Sequence, residues 1–78
     1  MSSTHRYADF KDLPIGARRR EALRKYLAER RGIATAAAMR AGVSTTMVSK
    51  VLNGHNVSAN VEQALEEEER QWESTNAA

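Results

Sequence analysis

The sequence predicts an all-α chain, a small bundle of four to five helices, and three observations carry that reading. Apolar residues recur at the three-and-four spacing of a helix face, as in Leu23, Tyr26 and Leu27 and again in Val48, Val51 and Leu52. No segment shows the period-two alternation of a strand. The middle segments are each followed by a glycine, Gly32, Gly42 or Gly54, the residue that most readily takes the left-handed conformation that ends a helix. The 78 residues suit one small domain and leave no room for a separate catalytic or sugar-binding unit.

Taken in order, residues 1–13 read as a flexible N-terminal arm whose first four residues are polar and whose His5 is a surface residue. Tyr7, Phe10 and Leu13 give it a short apolar lead-in suited to packing beneath the first long helix. Pro14 fits the opening of that helix, whose periodicity runs over 17–31 until Gly32 stops it. A second helix over 34–41 is rich in alanine, which allows close approach but supplies little apolar area. A third spans 45–53, with Ser44 placed to cap it and Asn53-Gly54 placed to end it. After a loop, Ser58 caps a fourth helix that turns Val61, Ala64 and Leu65 inward and extends toward Trp72. Residues 14–66 thus form the folded domain, and 67–78 a helical extension with a disordered Ser-Thr-Asn-Ala-Ala end.

The expected core is Leu23, Tyr26, Leu27, Ile33, Ala37, Ala38, Ala41, Val43, Val48, Val51, Leu52, Val57, Val61 and Leu65, and most of these are small. At about 1.5–3 kcal/mol per fully buried large aliphatic side chain, such a core leaves a modest margin over conformational entropy. There is no cysteine to staple the chain, so association of two copies would supply burial that one copy lacks.

The segment AMRAGVSTTMVSKVLNG, residues 38–54, is the most informative part of the chain. It reads as two short helices hinged at Gly42, with Ala38 small enough for a close crossing, which is the grammar of a helix-turn-helix. Val48, Val51 and Leu52 fall on one side of the second helix. Thr45, Thr46, Ser49 and Lys50 fall on the other, with donors and acceptors suited to base edges and phosphates. The placing of Ala38, Gly42, Val43, Ser44, Val48, Ser49, Lys50, Val51 and Asn53, continued by Val57-Ser58-Ala59, resembles lac-repressor-type headpieces. More broadly it resembles lambda-repressor-like helix-turn-helix domains and Cro-like phage or plasmid regulators. The likeness covers roughly residues 34–66. It implies that the start of the second helix enters the major groove, with base contacts from Thr45, Thr46 and Ser49, and Lys50 near base or backbone. Thr45 and Thr46 are shorter than that family's usual readers, and Ile33 stands where a capping Ser or Thr is common.

Charge is asymmetric. Residues 1–55 carry 11 Lys and Arg against 4 Asp and Glu, whereas 56–78 carry 1 against 6, giving +7 and −5 within a net +2. A basic face toward phosphate and an acidic tail held away from it follow from that split. Arg18 and Arg19 in the run Arg18-Arg19-Arg20, Arg40, Ser44, Asn53, His55 and Asn56 are the phosphate-contact candidates, while Leu65 and Trp72 are the candidates for a dimer contact. The acidic run 66–69 has no partnering histidine and reads as solvated surface rather than a metal site.

Catalysis is excluded as an expectation: there is no cysteine, no phosphate-cradling glycine loop, and the two histidines lie 50 positions apart. No cofactor, metal or small-molecule effector is expected. No apolar run approaches the ~20 residues of a membrane span, and the start of the chain lacks a signal-peptide core, so the expected setting is cytoplasmic. The expected function is that of a sequence-specific double-stranded DNA-binding regulator, a repressor occupying a palindromic operator as a homodimer. The alternative is an antitoxin-like or complex-associated protein-interaction module with secondary DNA binding.

Overall fold

Five helices make up the described residues, 6–76, of this computed structural model. They are α1 (Tyr7–Phe10), α2 (Ala17–Glu29), α3 (Ile33–Ala41), α4 (Thr45–Asn53) and α5 (Ala59–Asn76), and no strand occurs among the described residues. The protein is an all-α bundle. Helix α1 lies against α2, α2 meets α4, and α3 packs on α4 and most extensively on α5. The apolar stripes converge on Phe10, Leu23, Tyr26, Ile33, Val48, Val51, Leu52, Val61 and Leu65, while the buried methyls of Ala37 and Ala38 let α3 approach its neighbours.

Helices α3 and α4 end in the same way. Gly42 (φ 72) and Gly54 (φ 87) take the left-handed conformation. The residue after each then donates back across the last turn, Val43 N–H to the Ala38 carbonyl and His55 N–H to the Lys50 carbonyl, both at 2.9 Å. Ser44 caps the start of α4, its Oγ accepting from the Met47 N–H at 3.2 Å, and Ser58 Oγ accepts from Val61 N–H at 3.3 Å at the start of α5.

From Tyr7 onward the expected flexible arm is instead the helix α1, and its apolar lead-in packs against the core as its spacing predicts. Tyr7 and Phe10 are buried, and Phe10 meets Tyr7 and Tyr26 edge-on with ring centroids 5.5 and 5.3 Å away. A four-residue helix cannot hold itself, so these contacts hold it. Residues 1–5, including His5, lie outside the described part. At the other end Ser74 and Thr75, expected as disordered, belong to α5, whose last turns are tied down by Arg6 Nε at 2.7 Å from Glu73 Oε2. Val57 also leaves the expected core. It is 84% exposed in the short link before α5, its N–H taken by its neighbour Asn56 Oδ1, whereas Val61 is buried as expected.

Among the described residues three charged side chains are buried, and each joins elements distant in sequence. Arg19 donates from Nε to the Leu52 carbonyl (3.0 Å), from Nη2 to Val51 (3.3 Å), and from Nη1 to Lys11 (2.7 Å) and Leu13 (2.9 Å). It thereby serves carbonyls at the end of α4, where a cation is favoured, and fixes the α1–α2 connection. This overturns its expected role as a phosphate contact, since its donors are all turned inward. Glu69 accepts from the Tyr26 hydroxyl at 2.7 Å and the Tyr7 N–H at 2.9 Å. Glu69 therefore departs from the expected solvated acidic run. Burial, and then the hydrogen bond to Glu69, push the Tyr26 phenol far above its ordinary range; burial and the nearby Glu62 raise Tyr7 as well. Arg30 is enclosed between the Tyr26 and Trp72 rings, its Cζ 4.5 and 4.6 Å from their centroids.

Candidate nucleic-acid interface

The candidate surface is built by the turn 42–44 and α4. Gly42 reverses the chain with a positive φ, and the Ser44 cap then starts α4 at Thr45, so the first turn of α4 emerges at a fixed angle to α3. Along α4 the side chains of Val48, Val51 and Leu52 are buried and Met47 is partly so. Thr45, Thr46, Ser49 and Lys50 stand exposed on the opposite side. The residues of one helix are thereby sorted by the 3.6-residue period into an anchoring stripe and a polar one. No acidic residue occupies the first turn of α4, so the positive end of its dipole is left unneutralised from within the helix.

Not all of the phosphate candidates join this surface. Ser44 is exposed but its hydroxyl already caps α4. Asn53 Nδ2 donates to the Ser49 carbonyl at 2.8 Å, bracing the exposed row from behind. Asn56 places Nδ2 at 3.1 Å from the Met47 sulfur and is half-buried, while His55 is exposed just past the end of α4. Arg18 is exposed on α2, next in sequence to the buried Arg19 that grips the last carbonyls of α4. Arg40 is exposed on α3, but its Nε lies 2.9 Å from Glu68 Oε2. The acidic helix α5 thus reaches back to two cations of the basic half, Arg40 and Arg6, rather than standing apart from it.

The two expected dimer residues fare differently. Leu65 is completely buried inside its own chain, so it offers no surface to a second copy. Trp72 is half-buried and folds back on Arg30.

Sequence reasoning missed Arg30 and Glu69, although a signal was present. Arg19, Leu23, Tyr26 and Arg30 follow one another at helical spacing, as do Val61, Leu65, Glu69 and Trp72, so each charge sits in phase with a buried stripe. Among the described residues no group of acidic or histidine side chains is arranged to hold a metal ion, and no helix is long and apolar enough to cross a membrane. No protein-family model, curated protein or solved structure matches the chain.

Proposed function

We propose that the protein is a sequence-specific double-stranded DNA-binding regulator that occupies an inverted-repeat operator as a homodimer and acts as a repressor. The observation that carries this reading is the two-sided α4: an inner stripe locked into the core, and an outer row of Thr45, Thr46, Ser49 and Lys50 exposed beyond a glycine turn. Short hydroxyl side chains and one flexible ammonium suit base edges and phosphates in a major groove that accepts a single helix. Arg18, Lys50 and His55 are the phosphate partners, with Arg40 available once it leaves Glu68. Because Leu65 is sealed in the core, the dimer contact falls on another surface.

Selection of bound duplexes from a random pool tests the proposal. The expected product is an inverted repeat with half-site centres about 34–36 Å apart, or a multiple of that spacing. Recovery of no preferred sequence removes sequence-specific binding from the account. A second reading, an antitoxin-like protein-interaction module, is favoured by the exposed apolar side chains of Ile15, Met39 and Val57. An undiminished affinity for duplex DNA across a salt titration would point that way, because phosphate binding weakens steeply with salt.

A further inference from the structure

The junction between α2 and α3 holds a cavity of about 260 Å³ whose walls include Arg30, Arg31, Gly32, Ile33, Gln71 and Trp72. We infer that it is a binding site for a small oxyanion, a carboxylate or a phosphate. Both flat faces of the Arg30 guanidinium are covered, by Tyr26 and by Trp72, so it forms hydrogen bonds only through its edges. Nη1 is 3.3 Å from Glu29 Oε1. Nε and Nη2 are buried with no hydrogen-bond partner, although the arginine as a whole is completely enclosed. A bare pair of charged donors is a costly arrangement, and the Nε/Nη2 edge is the parallel fork that two oxygens of one carboxylate or phosphate accept.

The surroundings favour the same charge. Gly32 starts α3 in the left-handed conformation with no side chain capping the helix, so the positive end of the α3 dipole faces the cavity unneutralised. Arg31 adds an exposed second cation, and Gln71 adds an amide. The one carboxylate on the wall, Glu68, is held by Arg40 at 2.9 Å. The volume lies below the ~300 Å³ at which drug-sized pockets begin, which limits the occupant to a few heavy atoms. Arg30 is completely buried, so an anion in the cavity reaches its fork only when the cover moves; Trp72, the chain's single tryptophan, is part of that cover, and its emission reports the movement.

The site stands apart from the proposed reading of DNA, and its test does not need an operator. Inorganic phosphate and acetate are titrated into the full chain at ionic strength fixed with chloride, following Trp72 emission and the melting temperature. The expected result is a saturating emission change and a rise in melting temperature that chloride does not reproduce. Arg30→Lys keeps the charge but loses the fork and weakens binding about tenfold or more. Arg31→Gln, at an exposed position, weakens it a few-fold and decides the matter if Arg30→Lys fails to fold. A response that never saturates, that chloride matches, or that neither substitution alters overturns the site, leaving the bare edge to water. Adding duplex DNA identifies the source: displacement of phosphate assigns the site to backbone phosphates, and joint binding assigns it to a free anion.

Discussion

The α3–turn–α4 unit and the α1–α2–α5 side of the molecule are held together by different means. The first relies on backbone geometry: two left-handed glycines, a serine cap, and a stripe of valine and leucine. The second relies on buried charge, with Glu69 receiving Tyr26 and Tyr7, Arg19 serving four carbonyls, and Arg30 stacked between two rings. Buried charge is costly unless nearly every donor and acceptor is met, so the second region depends on a few specific atoms. The first spreads its stability over many weak contacts and leaves one face free of structural duty.

The largest effect should follow Arg19→Ala. It strips the Arg19 donors from the carbonyls of Lys11, Leu13 and Leu52, while the Val51 carbonyl keeps the Gly54 N–H at 3.1 Å. At about 1–3 kcal/mol for each buried group left unmet, the loss rivals the whole stability of a small domain. Urea unfolding measures it, and a loss under about 1 kcal/mol would break the comparison. Glu69→Ala comes next, at about 2–3 kcal/mol for the stranded Tyr26 hydroxyl and Tyr7 N–H, accompanied by release of α1. Protection of the Tyr7 amide from hydrogen exchange should fall with it.

A pair of glycine substitutions sharpens the contrast within α4's own frame. Gly42→Ala meets nothing within 4 Å and costs only the left-handed conformation, about 1–2 kcal/mol. Gly54→Ala adds a Cβ 3.0 Å from Arg19 Cζ and 3.1 Å from Ile15 Cγ1, so it must also disturb the buried arginine. Its melting temperature should fall further than that of Gly42→Ala, and equal falls would mean that Arg19 yields freely.

Alkaline pH probes the charged side from another direction. The Tyr26 phenol is raised in the folded chain, so its contribution is complete below the unfolded value of ~10 and is lost as pH climbs from there toward the folded value. Stability should stay level toward pH ~10 and then decline by about 1.4 kcal/mol per pH unit from this group. Tyr26→Phe should flatten that decline, and an unchanged slope would remove Tyr26 as its source.

The same contrast explains what the sequence discloses. Helix α4 matches its expected 45–53 span, and its cap, its stop and its buried Val48, Val51 and Leu52 stand where periodicity puts them, because each depends on residues within a few positions. Arg19 and Glu69 sit in charge runs, which usually face solvent, and their partners lie 33 and 43 residues away. Helical phase places both on buried stripes, but phase alone does not say that a carbonyl row or a phenol waits there. The spacing of Tyr7, Phe10 and Leu13 announces packing but not the helix α1, since what holds Tyr7 and Phe10 comes from α2 and α5. Val57 shows the reverse error, an apolar residue assigned inward that sits in a link with nothing packed above it.

The smallest effect on stability should come from Thr46→Ala, within about 0.5 kcal/mol, because the side chain is exposed and supports nothing in the core. Its effect on recognition tests the central claim that the outer row of α4 is free to read DNA. Mobility-shift titrations compare wild type and Thr46→Ala on a duplex selected from the random pool and on its scrambled counterpart. The account predicts a loss of about 1–3 kcal/mol on the selected duplex and none on the scrambled one. Equal loss on both, or no loss on either, would contradict it.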